Sequence, residues 1–159
     1  MKLTSEQIQA YLLRSYTALD GLWFMRAEKQ WGFDAALELD RQVWAVMPKI
    51  QARQLKELLK AGDGLEGLAW CLKSKLELDG FQFEVQLSET ELQVRIHFCP
   101  WQDRLEKAGR SHLGVQIASV ICPTEYAVWA EEFGCRPLPF EREGCCAGKS
   151  SCRLCFVSA

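Results

Sequence analysis

Seven of this chain's eight cysteines lie between Cys99 and Cys155, whereas everything before Cys99 holds only Cys71. The tightest group reads Glu143-Gly-Cys-Cys-Ala-Gly-Lys-Ser-Ser-Cys152-Arg-Leu-Cys155. Clustered thiols in a reducing compartment point to a soft metal or to redox chemistry before structural disulfides. Cys145, Cys146 and Cys152 fall on opposite arms of a turn that Gly144 and Gly148 let bend tightly, which makes one chelating segment. Cys122 in a helical stretch and Cys99 at a strand end each offer a further ligand, and Glu143 offers an oxygen. Two ligand sets follow. Cys99, Cys122, Cys146 and Cys152 supply the four thiolates of an iron–sulfur cluster. Three cysteines with Glu143 suit zinc, which the mix of thiolate and carboxylate favours. Cys145 competes with its neighbour in either set. Cys152 and Cys155 form a literal CxxC, but strand alternation puts them on opposite faces, unlike a redox motif that opens a helix. Cys71 and Cys155 read equally well as small buried hydrophobes.

Other polar residues are weaker candidates. Asp20, Glu28 and Asp40 sit among Trp23, Phe24, Trp31, Phe33 and Trp44, a setting that raises a carboxyl's pKa and suits a general base. Helix capping or pairing with Arg26 and Arg41 is their simpler role. His112 is a candidate proton carrier or helix cap, and His97 falls on the solvent face of its strand. Neither histidine has a nucleophile and orienting group beside it in sequence, so no triad is argued. Six tryptophans suit an aromatic-walled pocket for a small organic ligand. Trp23, Trp44, Tyr126 and Trp129, with the apolar face of a hairpin, are its expected walls. No GxGxxG, P-loop or HExxH pattern occurs.

These residues need elements to position them. At 159 residues, 48% hydrophobic and 25% charged, the chain has the length of one domain and can bury a core. Its charges are interleaved and sum to −2, which gives no footprint for nucleic acid or for a membrane surface. The first residues lack an apolar signal segment and no run is long enough to span a bilayer, so a cytoplasmic location is expected. Residues 4–79 read as helices. Thr4-Ser-Glu-Gln7 is a capping box, followed by a stripe at Ile8, Tyr11, Leu12, Ser15, Tyr16, Leu19, Leu22 and Trp23. A second helix starts at Phe33 with Asp34 as cap, and Pro48 marks a break. A third segment ends at Gly62-Asp-Gly64 and a fourth near Asp79-Gly80. The period then changes to two: Phe81, Phe83, Val85 and Leu87, then Leu92, Val94, Ile96 and Phe98, predict a hairpin with one buried face. A short helix over 102–107 follows. A longer one runs from Gly114 to Phe133, irregular at Cys122-Pro123. Strands at 136–142 and 152–158 end the chain. The expectation is a single α+β domain over 1–159, with helices over 1–80, then an antiparallel sheet with a long helix.

Asp20-Gly-Leu-Trp-Phe24, Ala36-Leu-Glu-Leu-Asp40 with Val43-Trp44, and Cys99-Pro-Trp-Gln-Asp-Arg104 resemble the L-2-amino-thiazoline-4-carboxylic acid hydrolase-like proteins and their uncharacterised relatives. The last third is similar to the 4-vinyl-reductase-type small-molecule-binding domain. Cys122, Tyr126, Glu143, Cys146, Gly148 and Cys152 match its pattern. That resemblance implies the α+β ligand-binding fold shared with nitric-oxide sensors and transport-particle subunits. It also implies a zinc ion on Cys122, Glu143, Cys146 and Cys152, with Cys99 and Cys145 as alternates, beside a ligand pocket. The leading expectation is a small-molecule binder with a structural metal. The alternatives are a hydrolase of a thiazoline or similar cyclic substrate, with Asp20, Glu28 or His112 in the chemistry, and an oligomeric interaction module, a homodimer included.

Overall fold

The computed structural model describes residues 2–139, 141–143 and 151–159. Four helices come first: α1 (Ser5–Trp31), α2 (Phe33–Trp44), α3 (Met47–Leu59) and α4 (Gly64–Asp79). The hairpin β1 (Gln82–Leu87) and β2 (Glu91–Phe98) follows, then α5 (Pro100–Lys107), a 3-10 turn at Ser111–Leu113 and α6 (Gly114–Glu131). β3 (Cys135–Pro137), β4 (Glu141–Glu143) and β5 (Ser151–Ser158) close the chain. All pairings are antiparallel, in the order β1-β2-β5-β3 with β4 also on β5. The fold is α+β. Among the described residues, no helix is long and apolar enough to cross a membrane.

The chain forms two compact units, Met1–Gln42 and Val43–Ala159. In the first, the capping box forms as the sequence predicts. Thr4 Oγ1 accepts from the Gln7 amide at 3.2 Å and Gln7 Oε1 accepts from the Thr4 amide at 2.9 Å, so two donors orphaned by the first turn are satisfied. Gly32, at φ 87°, carries the chain from α1 into α2, a conformation that costs glycine little. Its carbonyl accepts from the Ala36 amide at 3.1 Å. Asp34 therefore lies inside the first turn of α2 instead of capping it, where its charge still suits the positive helix end. Most of the predicted stripe of α1 faces outward: Ile8, Tyr11, Leu12, Leu19, Leu22 and Trp23 are exposed, and Tyr16 is half-buried. The buried face is the neighbouring one, Thr17, Phe24 and Ala27, and Phe24 meets Phe33 edge-on at 5.9 Å.

The second unit holds the sheet. Alternation places Leu92, Val94 and Ile96 of β2 and Cys152, Leu154 and Phe156 of β5 on one buried face. The register sets Ile96 against Cys152, Val94 against Leu154 and Leu92 against Phe156. In the same core are Leu65, Leu68, Leu72 and Leu76 of α4 and Tyr126, Trp129 and Ala130 of α6, with Phe133. Each fully buried large side chain contributes about 1.5–3 kcal/mol relative to exposure. α6 runs through Pro123 within the predicted helix. One detail differs from the sequence expectation: the strand predicted over 136–142 is split into β3 and β4, because Pro137 and Pro139 have no N–H for a ladder.

α4 seats closely because Gly67 lacks a Cβ: an added methyl would overlap the Gly62 carbonyl oxygen and press on Phe133 at 3.2 Å. Gly67→Ala should lower the unfolding free energy by about 1–3 kcal/mol. Gly21→Ala, in the interior of α1 with nothing within 4 Å, should raise it by about 0.5–1 kcal/mol. Urea denaturation of the two variants checks both signs, and equal effects would contradict the packing argument.

Candidate metal and ligand site around Tyr126

Tyr126 stands one helical turn beyond Cys122 on α6, so the two share a face. The ring is almost wholly buried. Burial first, then the Glu125 carboxylate, then the thiolates of Cys122, Cys99 and Cys152, push its phenol well above the ordinary range. These cysteines come from three separate elements: the end of β2, the middle of α6 and the start of β5. The phenol remains a neutral hydroxyl at any working pH. Tyr126 also lines a cleft of about 300 Å³ with Pro123, Pro137, Leu138, Pro139, Leu154, Cys155 and Phe156. Most of the residues that line it are apolar.

Of the candidate metal ligands, Cys152 is buried and Cys122 and Cys99 are half-buried. Glu143 is placed by backbone register opposite Ser151, one residue from Cys152. Cys145 and Cys146 lie outside the described residues. Among the described residues, no three His, Cys, Asp or Glu side chains form a metal-binding group. The donor types around Tyr126 nevertheless fit a thiophilic ion. Cys71 and Cys135 are different. Both are buried free thiols, and burial pushes both pKa values up, which keeps them protonated and poor ligands.

Behind Tyr126 lies a charge cluster that the sequence reading missed. Lys75 of α4 is only 3% exposed. Its ammonium pairs with Glu125 of α6 and, at 3.2 Å, with Asp79 of α4. The same nitrogen lies 5.4 Å from the centre of the Phe81 ring and 6.0 Å from that of Tyr126. Burial alone would depress the lysine, but Glu125 and then Asp79 outweigh it and the ammonium is held charged. The signal was present in the sequence: Lys75 falls between Leu72 and Leu76 on the apolar stripe of α4.

Residues 2–136 match a family described as a family of unknown function, DUF6125. The chain belongs to DUF6125. No curated protein matches it. The DUF6125 match takes in Cys99, Cys122, Tyr126 and the whole Lys75 cluster, and ends before Glu143 and Cys152.

The other predicted residues of this DUF6125 chain are scattered. Trp129 is fully buried and stacks on Phe133 at 6.2 Å. Trp44 is buried and meets Trp101 edge-on at 5.9 Å. Trp23 is 42% exposed on α1. Of the four expected pocket walls, Tyr126 is the one that lines the described cleft. Asp20 and Glu28 belong to the first unit and are half-buried, while His112 is exposed in the 3-10 turn of the second. His97 is on the solvent face, 3.4 Å from Glu84.

Removing the lysine tests the cluster. Lys75→Met leaves two buried carboxylates without a cation and should cost about 3–5 kcal/mol near neutral pH. Abandoned in the interior, Glu125 and Asp79 would have pKa values raised above their unfolded values. The sign follows: the variant is most stable where both carboxyls are protonated and loses stability as pH rises through the raised values. Urea melts at pH 5 and 7.5 should show the deficit shrinking at the lower pH. A deficit independent of pH would mean lost packing alone.

Proposed function

We propose that this chain binds a small, largely apolar organic molecule in the cleft beside Tyr126, next to a structural zinc site. The observation that supports it is what lines the cleft. Pro123 and Tyr126 of α6 follow Cys122 on that helix, and Leu154 of β5 lies two residues beyond Cys152 on the same buried face. Cys122, Glu143, Cys146 and Cys152 would hold the ion, with Cys99 or Cys145 as substitutes. A four-ligand zinc would tie α6 to the β4–β5 hairpin and contribute directly to folding. The cleft offers largely apolar contact, the usual composition of a small-molecule site.

A second reading, an interaction module, is favoured by α1. Its exposed Ile8, Leu12, Leu19 and Trp23 recur at helical spacing, an apolar stripe suited to a partner helix. Replacing Leu12 and Leu19 by Glu removes that stripe and leaves the zinc site alone.

Metal analysis of thiol-protected protein should find about one zinc per chain. Cys122→Ser and Cys152→Ser should each lower zinc content and thermal stability together, while Cys71→Ser lowers stability without releasing metal. Iron with acid-labile sulfide would replace zinc by a cluster. Metal-free protein, or equal effects at all three cysteines, would leave the thiols as packing. Tyr126→Phe should keep the metal and weaken binding of small phenols or aromatic carboxylic acids, measured by calorimetry. Phenols that bind wild type and variant alike would remove Tyr126 from the site.

A further inference from the structure

The two edges of the sheet are unlike. On one side β3 and β4 both lie on β5, and the chain there carries Pro137 and Pro139, which offer no N–H to a further strand. On the other side β1 pairs only with β2 among the described residues. β1 reads Gln-Phe-Glu-Val-Gln-Leu, with no proline, no lysine and one charge. Ser88 N donates to the Glu91 carbonyl at 2.8 Å, which fixes the parity of the hairpin ladder. Given the register Gln86–Gln93, Val85–Val94 and Glu84–Arg95, Gln86 and Glu84 exchange bonds with β2. Phe83, Val85 and Leu87 then turn their N–H and C=O groups outward. Phe83 and Val85 pack against the core, but Leu87 on the same face is 46% exposed. An open ladder beside an exposed leucine is what sheets otherwise blunt with charge, proline or a cover.

We propose that β1 is a self-association edge, on which two copies of the chain pair β1 against β1, antiparallel, about a two-fold axis at Val85. The strand is complementary to itself in that register. Val85 faces Val85 of the second copy, and Phe83 faces its Leu87, so the exposed leucine is covered by an aromatic ring. On the polar face Glu84 comes opposite Gln86 of the second copy, and no like charges meet. Each facing outward pair exchanges two backbone hydrogen bonds, and the two sheets become one. The contact is isologous, so it closes at a dimer instead of growing into a fibre. It involves neither α1 nor the Tyr126 site.

Sedimentation of the full chain over a range of concentrations should show a reversible dimer. Gln86→Glu sets Glu84 against a new carboxylate twice across the axis and should raise the dimer dissociation constant several-fold, up to about tenfold at low salt. Adding Glu84→Lys to that variant should restore the dimer, because an ammonium then faces the introduced carboxylate of the second copy. Val85→Pro deletes an N–H that β2 does not use and should give a monomer with an unchanged circular dichroism spectrum. If Val85→Pro fails to fold, the charge-reversal pair carries the test. A wild type that is monomeric throughout, or a dimer indifferent to the charge pair, overturns the proposal. A dimer lost in Leu12→Glu/Leu19→Glu but not in Gln86→Glu would assign self-association to α1 instead.

Discussion

A lysine buried in the core is tolerable only if its charge is answered on the spot, and the second unit is arranged around that requirement. Lys75 on α4 meets Glu125 on α6 and Asp79 one turn further along α4, with Phe81 and Tyr126 within cation–π range. Separating the two helices would strand an ammonium or a carboxylate away from water, at a cost well above that of a lost apolar contact. The cluster does not add much net stability over a well-packed apolar core of the same volume. What it adds is position: α6 cannot rotate or slide on α4 without breaking a bond to Glu125. The residues adjoining Glu125 on α6, Cys122 and Tyr126, inherit that fixed setting.

The sheet supplies the other half of the arrangement. Because β5 lies between β2 and the β3–β4 edge, a residue at its start is close to the ends of several elements at once. Cys152 occupies that place, opposite Ile96 on one side and Arg142 on the other. Cys99 follows β2 as the residue before α5. Cys152 shares the buried core with Cys71 and Cys135, while Cys99 and Cys122 are half-buried. The prolines that end β3 shape the mouth of the cleft. The same residues deny the sheet a second open edge, which leaves β1 as the side available to another chain.

The zinc site that we propose draws on Glu143 and Cys146 as well as Cys122 and Cys152. A metal held by these residues would reinforce an edge of the sheet where β3 and β4 span three residues each. Such a tie makes physical sense in a sheet whose outer strands are brief, because ligand bonds replace the ladder bonds that three-residue strands cannot supply.

Periodicity and punctuation in the sequence were enough for the hairpin, the capping box, the break at Pro48, the stop at Gly80 and the α+β class. Each of these is a local decision, made by side-chain alternation, a cap or a missing N–H within a few residues. Sequence also put Cys152 and Cys155 on opposite faces of β5, but only the structure decided that Cys152 is the buried one. It did not decide which stripe of α1 is buried, because a helix rich in apolar residues offers two faces and only tertiary contacts choose between them. Nor did it reveal the Lys75–Glu125 pair, fifty residues apart. That juxtaposition arises from how α6 lies on α4, and the spacing of residues along the chain carries no record of it.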